Sequence, residues 1–248
     1  KFIKEHRESL DKNNPRNYID KYLIEYEKQK GNPEYDYWGE EDLLSNILDI
    51  FMAGSETTSS TIRWFFLYMS RFPDVQKRVQ KEIDEIVPKG QLPSLHDKEK
   101  LPCLEALTYE INRIISLIPH SVPHEATEDT TLENYFIPKG SVVITNIETC
   151  HKDPLHWKHP NTFSIDNFLD DEGKLIKNKE GYLPFSLGRR QCLGESLAKM
   201  ELFIFMGSIL QNFEILEPKG QNVKLEPLEH TNIINMVPTF KVILKNRI

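Results

Sequence analysis

Cys192 has the surroundings of a metal ligand, in the run Phe185-Ser186-Leu187-Gly188-Arg189-Arg190-Gln191-Cys192-Leu193-Gly194. It stands just before an expected helix, where amide N–H groups and the helix dipole favour a thiolate over a thiol. Gly188 and Gly194 have no side chain, so the backbone there can approach a flat ligand closely. Arg190, two residues from the sulfur, offers a forked guanidinium to a carboxylate. Phe185 is placed to cover the sulfur and keep water away, which tunes a thiolate's basicity. The pattern F-x-x-G-x-R-x-C-x-G fixes five positions, and its chance probability in a chain this size is on the order of 10⁻⁴ or less. Cys103 and Cys150 lack such neighbours and read as small core hydrophobes.

A second chemical group is Ala53-Gly54-Ser55-Glu56-Thr57-Thr58, set inside an apolar helical pattern. An acid and two hydroxyls are costly there if buried without partners. A Thr hydroxyl can also bond back one turn and bend the helix. The residues alone leave two readings open, a solvent-facing polar stripe and a functional interruption. Glu110 and Arg113, three apart, share a helix face. E-x-x-R arises by chance roughly once in a chain this long, and such a pair, if exposed, contributes only about 0–1 kcal/mol. His151, His156 and His159 lie close in sequence, but their spacing matches no common zinc pattern, so a solvated loop is expected.

The elements that carry these groups follow from periodicity and punctuation. Leu43, Ile47, Ile50, Phe51, Gly54, Thr58, Thr61 and Phe65 keep a helical period, predicting one long helix over about 40–71. The stripe Val75, Val79, Ile83, Ile86 begins after Pro73 and stops at Pro88. Pro102 opens a helix over about 102–115, with Leu104, Leu107, Ile111 and Ile114 on one face. Tyr135-Phe136-Ile137 and Val142-Val143-Ile144 flank Pro138-Lys139-Gly140 and predict a β-hairpin. Residues 146 to 190 look mostly irregular, and so long a stretch usually has a function. A last helix is expected to carry Leu193, Leu197, Met200 and Ile204, and the tail from Val223 to Leu244 holds strand-like pieces. Lys28 to Asp36 reads as a linker. The class is mainly α, an α+β arrangement with small β elements. With 248 residues, 39% hydrophobic, a sizeable core is possible. A net charge of −7 argues against nucleic acid as main partner. Three cysteines make no disulfide framework. No apolar run is long enough to span a bilayer. The first residue, Lys1, suggests a chain cut from something longer, leaving room for an upstream anchor.

The cysteine loop closely resembles the haem-binding loop of cytochromes P-450, enzymes whose haem carries a Cys thiolate. The resemblance covers about Lys1 to Leu244, and residues 1–248 read as the C-terminal part of a single domain, with the N-terminal half missing. It is closest to animal microsomal members, through Asn14-Pro15-Arg16, Tyr135-Phe136-Ile137-Pro138-Lys139-Gly140 and Leu210-Gln211-Asn212-Phe213. It implies haem b with Cys192 as axial ligand to the iron, and Arg190 and His124 on the propionates. Phe185, Gly188 and Gly194 shape the loop, and Ala53 leaves room for dioxygen. Thr57, with Glu56 and water, would relay protons. Glu110 and Arg113 would clamp the irregular stretch; relatives often add an Arg or His at the third position, which is Asn167 here, uncharged. Met52, Ile118, Val122 and Asn232 to Ile234, including Ile233, would line a pocket for a lipophilic substrate.

The activity so implied is that of an oxidoreductase, a monooxygenase inserting one oxygen atom of O2 into that substrate. NADPH-cytochrome P-450 reductase would supply electrons, with cytochrome b5 as a second donor, at the cytoplasmic face of the endoplasmic reticulum membrane. Lys77, Arg78, Lys81, Arg189 and Lys199 form either a basic docking face for the donor or a plain charge scatter. Two alternatives stay open: an inactive or haem-binding-only fragment, and an isomerase or dehydratase of the same fold that does not use O2.

Overall fold

The computed structural model describes residues 1–35, 39–228 and 233–247, and the chain divides into two compact units, Lys1–Glu56 and Thr57–Ile248. Asp36, at the end of the expected linker, and Asn232 lie outside the described residues.

The first unit holds α1 (Phe2–Glu8), α2 (Tyr18–Gln29) and the start of α3 (Glu40–Arg71). Asn17 caps α2 by accepting the Ile19 and Asp20 N–H groups. Asp20 is buried and receives the Arg16 guanidinium at 2.7 and 2.9 Å, which holds its carboxyl down to about 2. Tyr22, Leu23 and Leu43 form a small core. Neither α1 nor α2 was expected. Helix α1 buries no residue at all, so it carries no apolar stripe to be read.

The second unit takes the rest of α3, then α4 (Pro73–Ile86) and α5 (Pro102–Ile115), each with proline in its first turn as predicted. After them come β1 (His124–Glu125), β2 (Thr130–Leu132), β3 (Tyr135–Ile137), β4 (Val142–Val143), α6 (Ile147–His151), α7 (Glu195–Asn212), β5 (Phe213–Leu216) and β6 (Ile243–Asn246). The core is built from Trp64, Phe65, Leu67 and Met69 of α3, Val79 and Ile83 of α4, Leu104, Leu107 and Ile111 of α5, and Phe203, Met206 and Leu210 of α7. Leu101 cannot cap α5 with its side chain. Glu82 of α4 does so instead, accepting the Cys103 N–H at 2.8 Å and the Leu104 N–H at 3.0 Å. Gln80 serves the C-terminal end of α7, donating to the carbonyls of Leu210 and Phe213 at 3.2 and 3.0 Å. Gly207 lets α7 approach α5, since a Cβ there would stand 2.8 Å from Leu104 Cδ2.

Three expectations need correction. The strands flanking Pro138-Lys139-Gly140 do not pair with each other: β3 pairs antiparallel with β2 and β4 with β1. The turn folds back on earlier chain, with Gly140 N–H on Ala126 O at 2.8 Å and Lys139 N–H on an Asp129 carboxylate oxygen at 2.8 Å. The real hairpin turns at Glu133-Asn134, with Glu133 left-handed at φ 51°. The predicted α7 stripe is also on the wrong face. Leu197 and Met200 are exposed, and Leu202, Phe203, Met206 and Leu210 are buried. Among the described residues of the tail only Ile243–Asn246 is a strand. Residues 146 to 190 are largely turns, as expected, with the short α6 and single 3₁₀ turns.

Candidate functional site

The support of the site starts at α5. Glu110 and Arg113 are both fully buried, not the exposed pair whose energy would be negligible. Arg113 meets the carboxylate with two forked bonds of 2.7 Å, and its Nη1 donates to the carbonyls of His151 at 2.6 Å and Pro160 at 2.8 Å. Longer bonds of 3.3 and 3.2 Å reach the carbonyls of His159 and Thr162. Glu110 also accepts the Ser164 N–H at 2.8 Å and the Asn167 amide at 3.2 Å. Burial pushes the Glu110 carboxyl above its ordinary value, against the pull of Arg113, Ser164 and Asn167; the two 2.7 Å bonds are those of a guanidinium on a carboxylate. Asn167 is buried too, and its side-chain carbonyl accepts the His159 N–H at 2.8 Å. The pair is already charge-neutral, so an uncharged third member leaves no charge unmatched.

His151 is not in a solvated loop. It is fully buried, and burial pushes its ring down to about 3, so it is neutral. Its Nε2 accepts the Leu183 N–H at 3.0 Å. Nδ1 therefore carries the proton and donates to Ser116 Oγ at 2.8 Å, which in turn donates to Arg113 O at 2.9 Å. His156 and His159 are partly buried, and no group of His, Cys, Asp or Glu among the described residues is arranged to hold a metal ion by itself.

Leu183, fixed by His151, begins the cysteine loop. Ser186 N–H returns to Leu183 O at 3.0 Å, and Cys192 N–H closes on Phe185 O at 2.9 Å. Ser186 and Gly188 are both left-handed, φ 61° and 81°, which turns the loop sharply before Cys192. A Cβ on Gly194 would lie 3.9 Å from the Cys192 sulfur, an ordinary van der Waals contact. Cys192 is exposed, whereas Cys103 and Cys150 are half-buried.

That sulfur opens on a cavity of about 350 Å³. The cavity collects Thr57 of α3, Ile118, Val122 and His124 from the segment after α5, Phe185, Arg190 and Cys192 of the loop, and Ile233 and Ile234. Asn112, Leu117 and Ser121 line it as well, none of them singled out by any motif. Met52, Ala53 and Glu56 fall in the first unit and are exposed. Of the five cations suggested as a basic face, Arg78 is paired with Asp166 at 2.7 Å, Lys81 with Glu85 at 3.8 Å and Lys199 with Glu195 at 2.5 Å. Lys199 also lies 5.5 Å over the Phe185 ring. No helix of the described residues is long and apolar enough to cross a membrane.

The donor set fits a haem. The cavity offers the soft Cys192 sulfur, and no group of three or more His, Cys, Asp or Glu among the described residues is placed to complete a metal site, which suits a metal whose other donors belong to a macrocycle. Arg190 and His124 provide hydrogen-bond donors for carboxylates, and much of the remaining lining is apolar.

Comparison with known proteins agrees. The profile of the family described as Cytochrome P450 matches residues 1–244. Cytochrome P450 2L1 of Panulirus argus is 45% identical over 99% of this chain and 50% of its own length. Cytochrome P450 2J2 of Homo sapiens is 43% identical over 91% of this chain and 44% of its own. Cytochrome P450 2B4 of Oryctolagus cuniculus is 42% identical over 97% and 48%. The chain thus spans about half the length of the curated relatives it matches.

Proposed function

Since this chain belongs to the cytochrome P450 family, we propose that the cavity beside Cys192 holds haem b and that the complete protein is a monooxygenase of lipophilic substrates. The observation that carries this reading is one cavity lined by both the exposed Cys192 sulfur and Thr57. Bound there, the haem supplies the redox chemistry, reducing O2 with two electrons so that one oxygen atom enters a C–H bond and the other leaves as water.

The chain's own residues bind, orient and move protons. Cys192 ligates the iron as a thiolate, and Phe185 keeps water from the sulfur. Arg190 and His124 hold the propionates. Ile118, Val122, Ile233 and Ile234 orient an apolar substrate and exclude water. The Thr57 hydroxyl holds a water molecule and passes a proton inward, and Glu56 supplies that proton from the exposed stretch of α3. Glu110, Arg113 and Asn167 touch none of the reacting atoms and keep the loop in place. Electrons come from NADPH-cytochrome P-450 reductase, with cytochrome b5 as a second donor, at the cytoplasmic face of the endoplasmic reticulum to which an N-terminal segment anchors the protein.

The test is to reduce the complete protein under CO. A Soret band at the red-shifted thiolate position, lost in Cys192→His, is the expected result. A band at the neutral-histidine position in the unaltered protein refutes the assignment.

A further inference from the structure

Two wall segments of the cavity, Leu117–Ile118 and Ile233–Ile234, come from distant parts of the chain. Asn235 ties them together. Its side-chain amide donates to Ile115 O at 3.0 Å and Ser116 O at 2.9 Å, two carbonyls at the end of α5 that lack an intrahelical partner. Its backbone N–H donates to Leu117 O at 2.8 Å, and its own carbonyl accepts the Trp64 indole N–H of α3 at 2.8 Å. Four bonds from one buried residue therefore join α3, the end of α5 and the C-terminal wall segment.

We propose that Asn235 is a positioning residue that sets the spacing of these two walls and so governs which substrate carbon is presented for oxidation. The inference rests on the monooxygenase reading of the cavity. Only a neutral fork of two N–H donors fits: a carboxylate would face two carbonyl oxygens, and an alkyl group would leave them buried and unpaired. Ser116 makes the lock matter. It is left-handed at φ 38° without being glycine, a conformation that persists only where its surroundings over-determine it. Asn235 grips its carbonyl from one side, and Arg113 O and His151 Nδ1 hold its hydroxyl from the other. Releasing Asn235 lets Ser116 relax and carries Leu117 and Ile118 with it.

The test uses the complete, haem-loaded protein with n-butylbenzene, whose benzylic and terminal carbons give separable alcohols. Asn235→Ala removes the fork. Asn235→Ser keeps one donor, and Trp64→Phe removes the bond to the Asn235 carbonyl together with part of a buried ring, so these two serve if the first does not fold. The expected result has three parts, with the thiolate Soret band retained. Amide exchange over 115–118 and 233–235 speeds up, the spin-shift Kd rises, and the benzylic-to-terminal ratio changes about fivefold, the factor matching one lost hydrogen bond. Exchange, Kd and ratio all within twofold of the unaltered protein in Asn235→Ser and Trp64→Phe overturn the proposal. Faster exchange with unchanged Kd and ratio overturns it too, because the contact is then structural alone. In both cases the monooxygenase reading stands. If the unaltered protein lacks the thiolate band, that reading fails and this inference falls with it.

Discussion

Replacing Arg113 by Lys keeps the charge and removes the fork. In the native site the guanidinium makes six contacts, two to Glu110 at 2.7 Å and four to the carbonyls of His151, Pro160, His159 and Thr162 at 2.6 to 3.3 Å. An ammonium has three donors and no planar pair, so it cannot serve all six acceptor atoms in a fully buried place; Glu110 and the His159 carbonyl keep donors from Ser164 and Asn167, but the carbonyls of His151, Pro160 and Thr162 depend on residue 113. Bonds to charged groups contribute about 1.5–3 kcal/mol each but are not additive. Breaking a buried pair outright costs about 3–5 kcal/mol. Lysine retains part of the attraction, so a loss of about 3 kcal/mol is expected, a large share of a typical domain stability of about 5–15 kcal/mol. The assay is the urea unfolding midpoint of the complete protein at constant m-value, alongside the amount of bound haem. A second comparison isolates the reason. An isolated buried pair is often replaced by apolar residues at little cost, but here Glu110→Leu with Arg113→Met still orphans the carbonyls of His151, Pro160 and Thr162 and the Ser164 N–H. The double variant is therefore expected to be at least as unstable as Arg113→Lys. A lysine variant within about 1 kcal/mol of the unaltered protein, or a fully stable apolar double variant, refutes the account of the clamp as a backbone holder.

His151 is neutral in the fold, at about 3 against the usual 6.5, so the unfolded chain binds its proton first. Its stability contribution is complete above pH 6.5 and falls below it. By pH 5 about 2 kcal/mol is lost, and His151→Gln should flatten that part of a urea-midpoint curve run from pH 8 to 5. Parallel curves for the two proteins contradict the assignment. Gly207→Ala puts a Cβ 2.8 Å from Leu104 Cδ2 and should cost about 1–3 kcal/mol. Adding Leu104→Val should recover part of that in thermal melts, and an additive double variant rules the clash out. Asn167→Asp sets a second carboxylate against Glu110, which the native amide approaches at 3.2 Å. A loss of about 3 kcal/mol at neutral pH is expected, shrinking as acidification lets the two acids share a proton. An equal loss at both ends of the pH range removes charge as the cause.

What could be read in the sequence was whatever depends on side-chain type at fixed spacing. The limits of α3, α4 and α5 followed from apolar stripes and from Pro73 and Pro102, because only certain residues tolerate those positions. Five fixed positions around Cys192 sufficed to pick out the loop. The face of α7 was not legible, because Leu197, Met200 and Ile204 are as apolar as Leu202, Met206 and Leu210, and periodicity cannot choose between two apolar sides. The hairpin was misplaced because its real turn uses Glu133 in a left-handed conformation that favours glycine or asparagine, so the conspicuous Pro138-Lys139-Gly140 drew the assignment. His151 resembled any loop histidine, since nothing in its neighbours announces burial.

The contacts that support the site escape the sequence for one further physical reason. The clamp, the caps of α5 and α7 and the wall lock close largely on backbone carbonyls and N–H groups, which every residue carries and no motif records. Arg113 holds four carbonyls, His151 one N–H, Glu82 two N–H groups, Gln80 two carbonyls and Asn235 two more. Only the donating or accepting side chain is visible in sequence, and its target is set by a fold that brings residues dozens of positions apart together. Ser116 is where two of these systems meet, with the route to Cys192 running through His151 and the route to the cavity wall running through Asn235. A change at that junction should therefore disturb both the sulfur and the cavity walls, whereas a change at Cys192 or Ile233 alone disturbs one of them. On the proposed function, motif residues of this site carry the chemistry, and residues outside any motif decide whether the two halves of it stay in register.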